Sequence, residues 1–419
     1  MGFNPFDEKG IPIEKQIKSW SELCTKPYDP QSVHPYTRTR GILMNGIEVE
    51  AALFYHNFHR HCEDMELRRQ LSVVRRLEQQ QQKMVNWMIP GSESTLEVTI
   101  GYEQLATDLT ACMAKAEPDP YVKLALDFAL IEDFDHLYRY ANLMLESDPK
   151  KAEAILKDLT EVTPGRPTVL EHQFPFDTVR KYVDFKRADP LTRMHILTIT
   201  AAEQQTMNFY MNVGNQFSHM TGRGLYQEIA MIEEQHVTHY GSLIDPRSSW
   251  FEMACSHEYN ECYMYYSCMI SEPDERVKKI WEQLLESEIG HLQMNRDLMM
   301  KFENKDAKEM FGKEFPAPTV LESSKDYVRQ IISTQIQYTG DRSDIVPLKN
   351  SESKDRYFQY QNTVNAGEFI PSQMVITNAT QKTGQDYRIE TNGPHPIELL
   401  RDRKSLASQA ELIKEMMKR

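Results

Sequence analysis

Two Glu-x-x-His motifs, Glu233-Glu234-Gln235-His236 and Glu288-Ile289-Gly290-His291, constrain this 419-residue chain more than anything else in it. Each follows a lone glutamate by 30 positions, Glu203 before Glu233 and Glu258 before Glu288. Residues i and i+3 share one face of an α-helix, so each motif projects a carboxylate and an imidazole from the same side. The segments around all four glutamates read as helices, with long apolar periodicity and no internal proline. Their neighbours on the same faces are apolar: Ile199, Met207 and Tyr210 beside Glu203; Ile229, Ala230, Val237 and Tyr240 beside Glu233; Trp281, Leu284, Leu285 and Leu292 beside Glu288. Packing such faces together buries the carboxylates, which is costly without a compensating cation. The bland alternative is ion pairing with interior bases or placement at helix edges. No Lys or Arg lies on these stripes, which favours a divalent metal.

The pattern occurs twice. Subtracting 155 from Glu203, Glu233, Glu258 and Glu288 gives Glu48, Glu78, Glu103 and Asp133, while His291 maps to His136 and His236 to Gln81. The same ungapped offset aligns Glu117-Pro118-Asp119 with Glu272-Pro273-Asp274 and His136-Leu137 with His291-Leu292. This is the signature of a tandem duplication. Helices are expected at about 41–62, 66–88, 95–115 and 119–146, and again at about 192–215, 223–243, 249–270 and 274–303. The resulting division is an N-terminal arm (1–33, with a short helix at Ile13–Leu23), a first repeat with its connector (34–188), a second repeat (189–339) and a C-terminal extension (340–419). A further echo pairs Pro167–Glu171 with Pro318–Glu322 and Asp177–Arg180 with Asp326–Arg329, which would carry the repeat into a tail. The polar extension reads as mixed and loop-rich. It suggests a hairpin of Met374–Thr377 with Tyr387–Ile389, then a closing helix from Pro396. The apolar stripe of that helix (Leu399, Leu406, Ala410, Ile413, Met417) would dock on a bundle or on a second copy in a homodimer.

Lys and Arg number 48 against 62 Asp and Glu, and the net charge of −14 argues against nucleic acid as a partner. No apolar run approaches the roughly 18 residues that span a bilayer, so no membrane partner is expected. No secretory signal is visible at Met1–Lys9, and the six cysteines form no Cys-x-x-Cys pair, which fits a reducing cytoplasm.

Two glutamates plus two Glu-x-x-His motifs, one contribution per helix, resemble the ferritin-like superfamily of dimetal carboxylate proteins, closest in ligand pattern to rubrerythrin and bacterioferritin. The resemblance covers about 192–303 and, more weakly, 41–146. It implies an all-α fold of two tandem ferritin-like four-helix bundles, the second holding two iron or manganese ions. Glu203 and Glu258 would be terminal ligands, Glu233 and Glu288 would bridge, and His236 and His291 would each hold one ion. Glu261, one turn beyond Glu258, is an alternative or additional ligand. The departure is the link between second and third helices, where the family has a long crossover and only 25 positions separate Glu233 from Glu258. The first bundle has Gln81 for a histidine and the shorter Asp133 for a bridging glutamate, and Arg75 on the face of Glu78 can pair with a carboxylate in place of metal, so it reads as metal-free. The alternative is that Arg75 snorkels outward and one ion persists on Glu48, Glu103 and His136. Tyr210, Tyr240, Cys255 and Cys262 share faces with the ligands and are candidates for electron transfer or redox chemistry, or else core residues. His239 and His257 read as outer groups, and Glu228 and Glu234 as solvated ones. The implied activity is that of a cytoplasmic oxidoreductase activating dioxygen or peroxide. The alternatives are a peroxide-scavenging or metal-handling protein without organic substrate, and a duplicated helical scaffold.

Overall fold

The computed structural model describes residues 2–404, and the chain is mostly helical. Eight long helices carry it: α1 (Pro35–Arg60), α2 (Met65–Asn86), α3 (Thr95–Ala116), α4 (Pro120–Ser147), α5 (Pro190–Val213), α6 (Met220–Gly241), α7 (Trp250–Ser271) and α8 (Glu275–Glu303). The starts of α5 to α8 each follow those of α1 to α4 by 155 positions, and the starting devices recur with them. Pro35 and Pro190 occupy the first turns of α1 and α5, where a missing N–H costs nothing. Ser94 and Ser249 close capping boxes with Glu97 and Glu252. Asp119 and Asp274 each accept two backbone N–H groups at the starts of α4 and α8.

The helices pack as four antiparallel hairpins, α1–α2, α3–α4, α5–α6 and α7–α8, with α1 against α5 in the middle. At that crossing a Cβ on Gly46 would meet Gln205 Cβ at 2.8 Å, so only glycine lets the two helices come so close.

The expected pair of successive bundles is not how the hairpins associate. The hairpin α1–α2 meets α7–α8, and α3–α4 meets α5–α6, so each group of four takes one hairpin from each half of the chain. Two reciprocal ties hold the exchange. Glu272, just before α8, accepts the Thr37 hydroxyl at 2.5 Å and pairs with Arg40 at 3.3 Å. Glu117, just before α4, accepts the Thr192 hydroxyl at 2.5 Å and pairs with His195 at 2.6 Å. The short link between α6 and α7 (242–249) needs no crossover, because these helices belong to different groups.

The arm also departs from expectation. Residues Ile13–Leu23 are a 3-10 turn (Ile13–Lys15) and one turn of helix (Trp20–Leu23) rather than one helix, because backbone donors there serve other elements. The N–H of Ile11 donates to the carbonyl of Glu286 (2.8 Å), that of Lys18 to Gln80 (3.0 Å), and that of Tyr28 to the carbonyl of Met88 (3.1 Å). Displaced by 155, the same bonds recur in the connector, from Arg166 to Ile131 (2.9 Å), Gln173 to Gln235 (2.9 Å) and Val183 to Leu243 (2.8 Å). Arm and connector are therefore structural equivalents. The tail echo at Pro318–Glu322 and Asp326–Arg329 is not one: 318–322 is irregular and Asp326–Arg329 lies in a helix, unlike the turns at 168–170 and 175–177.

In the extension, Met374–Thr377 lies in helix α11 (Pro371–Thr383) instead of a hairpin, after α9 (Lys325–Gln335) and α10 (Lys354–Val364). The hairpin is formed by β1 (Tyr338–Asp341) and β2 (Asp344–Pro347), reversed at Arg342, which has φ +56°. Helix α11 packs on α4 and α6, with Ser372 held by Glu228. Of the expected closing stripe, Leu399 lies in a 3-10 turn (Glu398–Arg401) and packs half-buried beside Leu400 under α9, while Leu406, Ala410, Ile413 and Met417 lie outside the described residues. No described helix is long and apolar enough to cross a membrane.

Because each half lacks the partner hairpins of its own, residues 189–339 alone should show no cooperative thermal transition. Residues 1–150 and 151–419, co-expressed, should co-purify with native-like helicity by circular dichroism. A sharp monomeric melt of the isolated 189–339 segment would contradict the exchange.

Candidate metal centres

The exchange sorts the acidic helix positions into two buried clusters. The first draws on α1, α2, α7 and α8: Glu78, Glu258, Glu288 and His291 place one ligand atom each within 4.8 Å of one another. Glu48, Gln81 and Glu261 border them, all buried. The second draws on α3 to α6 and consists of two overlapping groups. Asp133, Glu203, Glu233 and His236 form one, Glu103, His136 and Glu233 the other, again within 4.8 Å. The seven residues expected in a single site are thus divided: Glu203, Glu233 and His236 lie in the double-histidine cluster, and Glu258, Glu261, Glu288 and His291 in or beside the single-histidine cluster. The reason is the hairpin exchange, which brings the motif Asp133-x-x-His136, read in sequence as degenerate, opposite Glu233-x-x-His236.

Each histidine is fixed from behind. His136 Nε2 is 2.8 Å from Glu171, His236 Nε2 is 2.8 Å from Glu132, and His291 Nε2 is 2.7 Å from Gln16 Oε1. With Nε2 donating outward, Nδ1 is the atom aimed into each cluster. His136 Nδ1 lies 3.0 Å from Glu233, His236 Nδ1 3.2 Å from Asp133 and 3.3 Å from Glu233, and His291 Nδ1 2.8 Å from Glu78. Glu132 is in turn paired with the buried Arg166. The three outer groups were missed in sequence although a signal was there: Gln16 and Glu171 are themselves 155 apart, as are Gly10 and Gly165. Both glycines lie flat on a neighbouring helix, where a Cβ on Gly165 would come within 2.1 Å of the Ile131 carbonyl oxygen.

Hydroxyls complete part of the shell. Tyr55 donates to Glu258, Tyr210 to Glu103 (2.5 Å) and Tyr265 to Glu48. Tyr240 is fully buried near His236 and its hydroxyl has no partner. Cys255 faces Met299 at 3.9 Å, and burial pushes the thiols of Cys255 and Cys262 well up, which keeps both protonated and unreactive. Arg75 does not neutralise Glu78; it is half-buried and its charge acts on His56 and His59. His239 donates to the Ala125 carbonyl and His257 pairs with Glu50 at 2.9 Å. Glu234 is exposed, whereas Glu228 is buried against His172 and Ser372 rather than solvated.

Burial dominates the electrostatics. It raises the carboxyls of Glu48, Glu103, Asp133, Glu203 and Glu261 above the usual range, with neighbouring carboxylates adding to it. Glu78 is pushed up to about 8 and Glu258 to about 7 by the same causes. At Glu233 burial is outweighed by hydrogen bonds from both histidines, which draw it down to about 2, and Glu288 is lowered by His291. His136, His236 and His291 are all raised, because the surrounding carboxylates overcome burial.

Whether a metal fits can be judged from atoms left unsatisfied. Both oxygens of Glu78, Asp133 and Glu203, one each of Glu48, Glu103, Glu233, Glu258 and Glu261, and His236 Nδ1 are buried without a hydrogen-bond partner. Asp133 Oδ1, Glu203 Oε2 and Glu233 Oε2 nevertheless all lie within 4 Å of His236 Nδ1, in positions suited to a shared cation rather than to hydrogen bonds. The donor set of carboxylates with one or two imidazoles could hold a divalent metal ion. No family model matches the chain, and neither a curated protein nor a solved structure matches it.

A metal-free preparation should respond to pH with a definite sign. Glu78 and Glu258 have folded-state values above the ordinary 4.5, so their stabilisation is complete below about 4.5 and is lost as pH rises through about 7 to 8. The raised histidines act in the same direction above 6.5, and the lowered Glu233 is already ionised throughout this window. The melting temperature should therefore fall from pH 5 to pH 8 without metal, and the slope should flatten when Mn2+ or Fe2+ replaces the protons. A metal-free protein that gains stability across that range would refute this balance.

Proposed function

We propose that the chain is a tandem duplication of a ferritin-like unit whose halves exchange hairpins, and that its double-histidine cluster is a dimetal carboxylate centre reacting with dioxygen or peroxide. One observation carries the reading: the two ligand groups of that cluster overlap at Glu233. A carboxylate shared between two histidine-bearing groups is what a bridged pair of ions needs. Glu203 with His236 would hold one ion and Glu103 with His136 the other, with Glu233 and Asp133 between them. Asp133 is one methylene shorter than the expected glutamate, and His236 Nδ1 nonetheless comes within 3.2 Å of it. A bound iron or manganese pair would supply one-electron redox steps between +2 and +3.

The protein's own groups supply the rest. Glu171 and Glu132 hold the imidazoles by Nε2 and increase their basicity toward the centre. Tyr210 donates to Glu103 and can pass a proton to it or take one from it. The ligands are at most 2% exposed, and none of five surface clefts formed by described residues is lined by them. This enclosure favours a small diatomic or peroxide substrate, and with it the reading as a peroxide-scavenging or metal-handling protein over an oxygenase with an organic substrate.

Elemental analysis of protein purified without chelator should find iron or manganese at two or more equivalents per chain. Glu233→Gln should remove both ions of the double-histidine cluster while sparing the other, and Glu288→Gln should do the reverse. If both variants keep their full metal content, the bridging assignments are wrong.

A further inference from the structure

The two clusters differ at a pair of positions that change together. Where the double-histidine cluster has His236, the single-histidine cluster has Gln81; where the first has Ala106, the second has Glu261. An imidazole is exchanged for an amide, and a carboxylate is added one turn beyond Glu258. Gln81 is 3% exposed, and its Nε2 donates to Glu288 Oε1. Its carbonyl Oε1 is left buried and without a partner. Tyr265 donates to Oε1 of Glu48, and Glu48 Oε2 is likewise unpartnered, as are Glu261 Oε2 and both oxygens of Glu78. By the 155 relation Glu48, Glu78, Gln81 and Glu288 stand where Glu203, Glu233, His236 and Asp133 stand in the other cluster.

We propose that Glu48, Glu78, Glu261, Glu288 and the Gln81 carbonyl form an all-oxygen position for a hard divalent cation of the manganese class, beside the position served by His291. The inference rests on the dimetal reading above and goes beyond it, since it makes the chain a mixed-metal protein. Carboxylate and carbonyl oxygens suit Mn2+, whereas imidazole favours iron. Affinity at any one site rises from Mn2+ to Fe2+, so the preference shows as a smaller iron advantage here than at the three histidine-bearing positions. The competing account is that Gln81 is only a core hydrogen-bond bridge to Glu288. It leaves Glu261 Oε2, Glu48 Oε2 and Glu78 Oε2 uncompensated, and neither Lys nor Arg pairs with any of these carboxylates among the described residues.

The test uses the full-length metal-free chain, incubated without oxygen in equimolar Mn2+ and Fe2+, desalted, and analysed for both elements and for the Mn2+ paramagnetic resonance signal. Wild type should retain a measurable fraction of one manganese per chain alongside its iron, since this position has the smallest iron advantage of the four. The double variant Q81H/E261A, which restores the imidazole and removes the added carboxylate, should lower the manganese-to-iron ratio on the order of 10-fold, the scale on which changes in a ligand shell move affinity. The isosteric E261Q should lose manganese alone with an unchanged melting temperature, and H236Q should lose iron with manganese unchanged. Wild-type manganese content in both Q81H/E261A and E261Q overturns the proposal, as does a wild-type protein that takes only iron. Uptake of neither ion overturns the dimetal reading along with it.

Discussion

Nine carboxylates share the interior of this helical chain without one Lys or Arg ion-paired to them among the described residues. An isolated ionised carboxylate in such a place costs more than a folded chain of this size has to spare, so the charge must be met by protons, imidazoles or metal. The rest of the architecture serves that requirement. Four helices are needed around each cluster to exclude water, and the exchange of hairpins supplies them. The ties at Glu117 and Glu272 fix the exchange at the ends of the helices, away from the ligands. Histidines stand between the acids and a second ring of acceptors, so their orientation is set before any ligand arrives.

The two halves are alike in backbone and unlike in charge. Glu171 stands behind His136, whereas its counterpart Gln16 is neutral behind His291. Helix α11 covers only the double-histidine side, through Ser372 and Glu228. The arm covers the other side as the connector covers this one, lying along α8 so closely that a Cβ on Gly290 would come within 2.1 Å of the Ile11 carbonyl oxygen. The contacts that set geometry thus recur between the two halves, while the groups that set charge differ.

Much of this could be read from sequence, and the failures share one cause. Helix positions followed from periodicity, proline and capping residues, and those local signals were sufficient. The ligand types followed from spacing on one helix face. What spacing cannot report is which helices meet, because Glu203 and Glu258 present the same pattern whether they share a site or not. The eight-residue links were the available warning: too short for the crossover a single-site reading required, they fit helices that part company. The arm was misread because its equivalence to the connector rests on backbone bonds and on sparse letters, Gly10 with Gly165 and Pro12 with Pro167. Arg75 was misplaced because a half-buried basic stem can leave the acid on its own face for the rim.

The hairpin exchange also sets a timetable for biosynthesis. The double-histidine cluster has all its ligands once His236 has been made, but the single-histidine cluster must wait for His291, 55 residues later. At roughly 5–20 residues per second, translation needs about 3–11 s to cover that interval. Glu48 and Glu78 wait far longer, since 213 residues separate Glu78 from His291. During that wait the acid-bearing faces of α1 and α2 lack the α7–α8 hairpin that covers them in the folded chain. A nascent chain of this design therefore closes its centres in a fixed order, and the one nearest the N-terminus is sealed last.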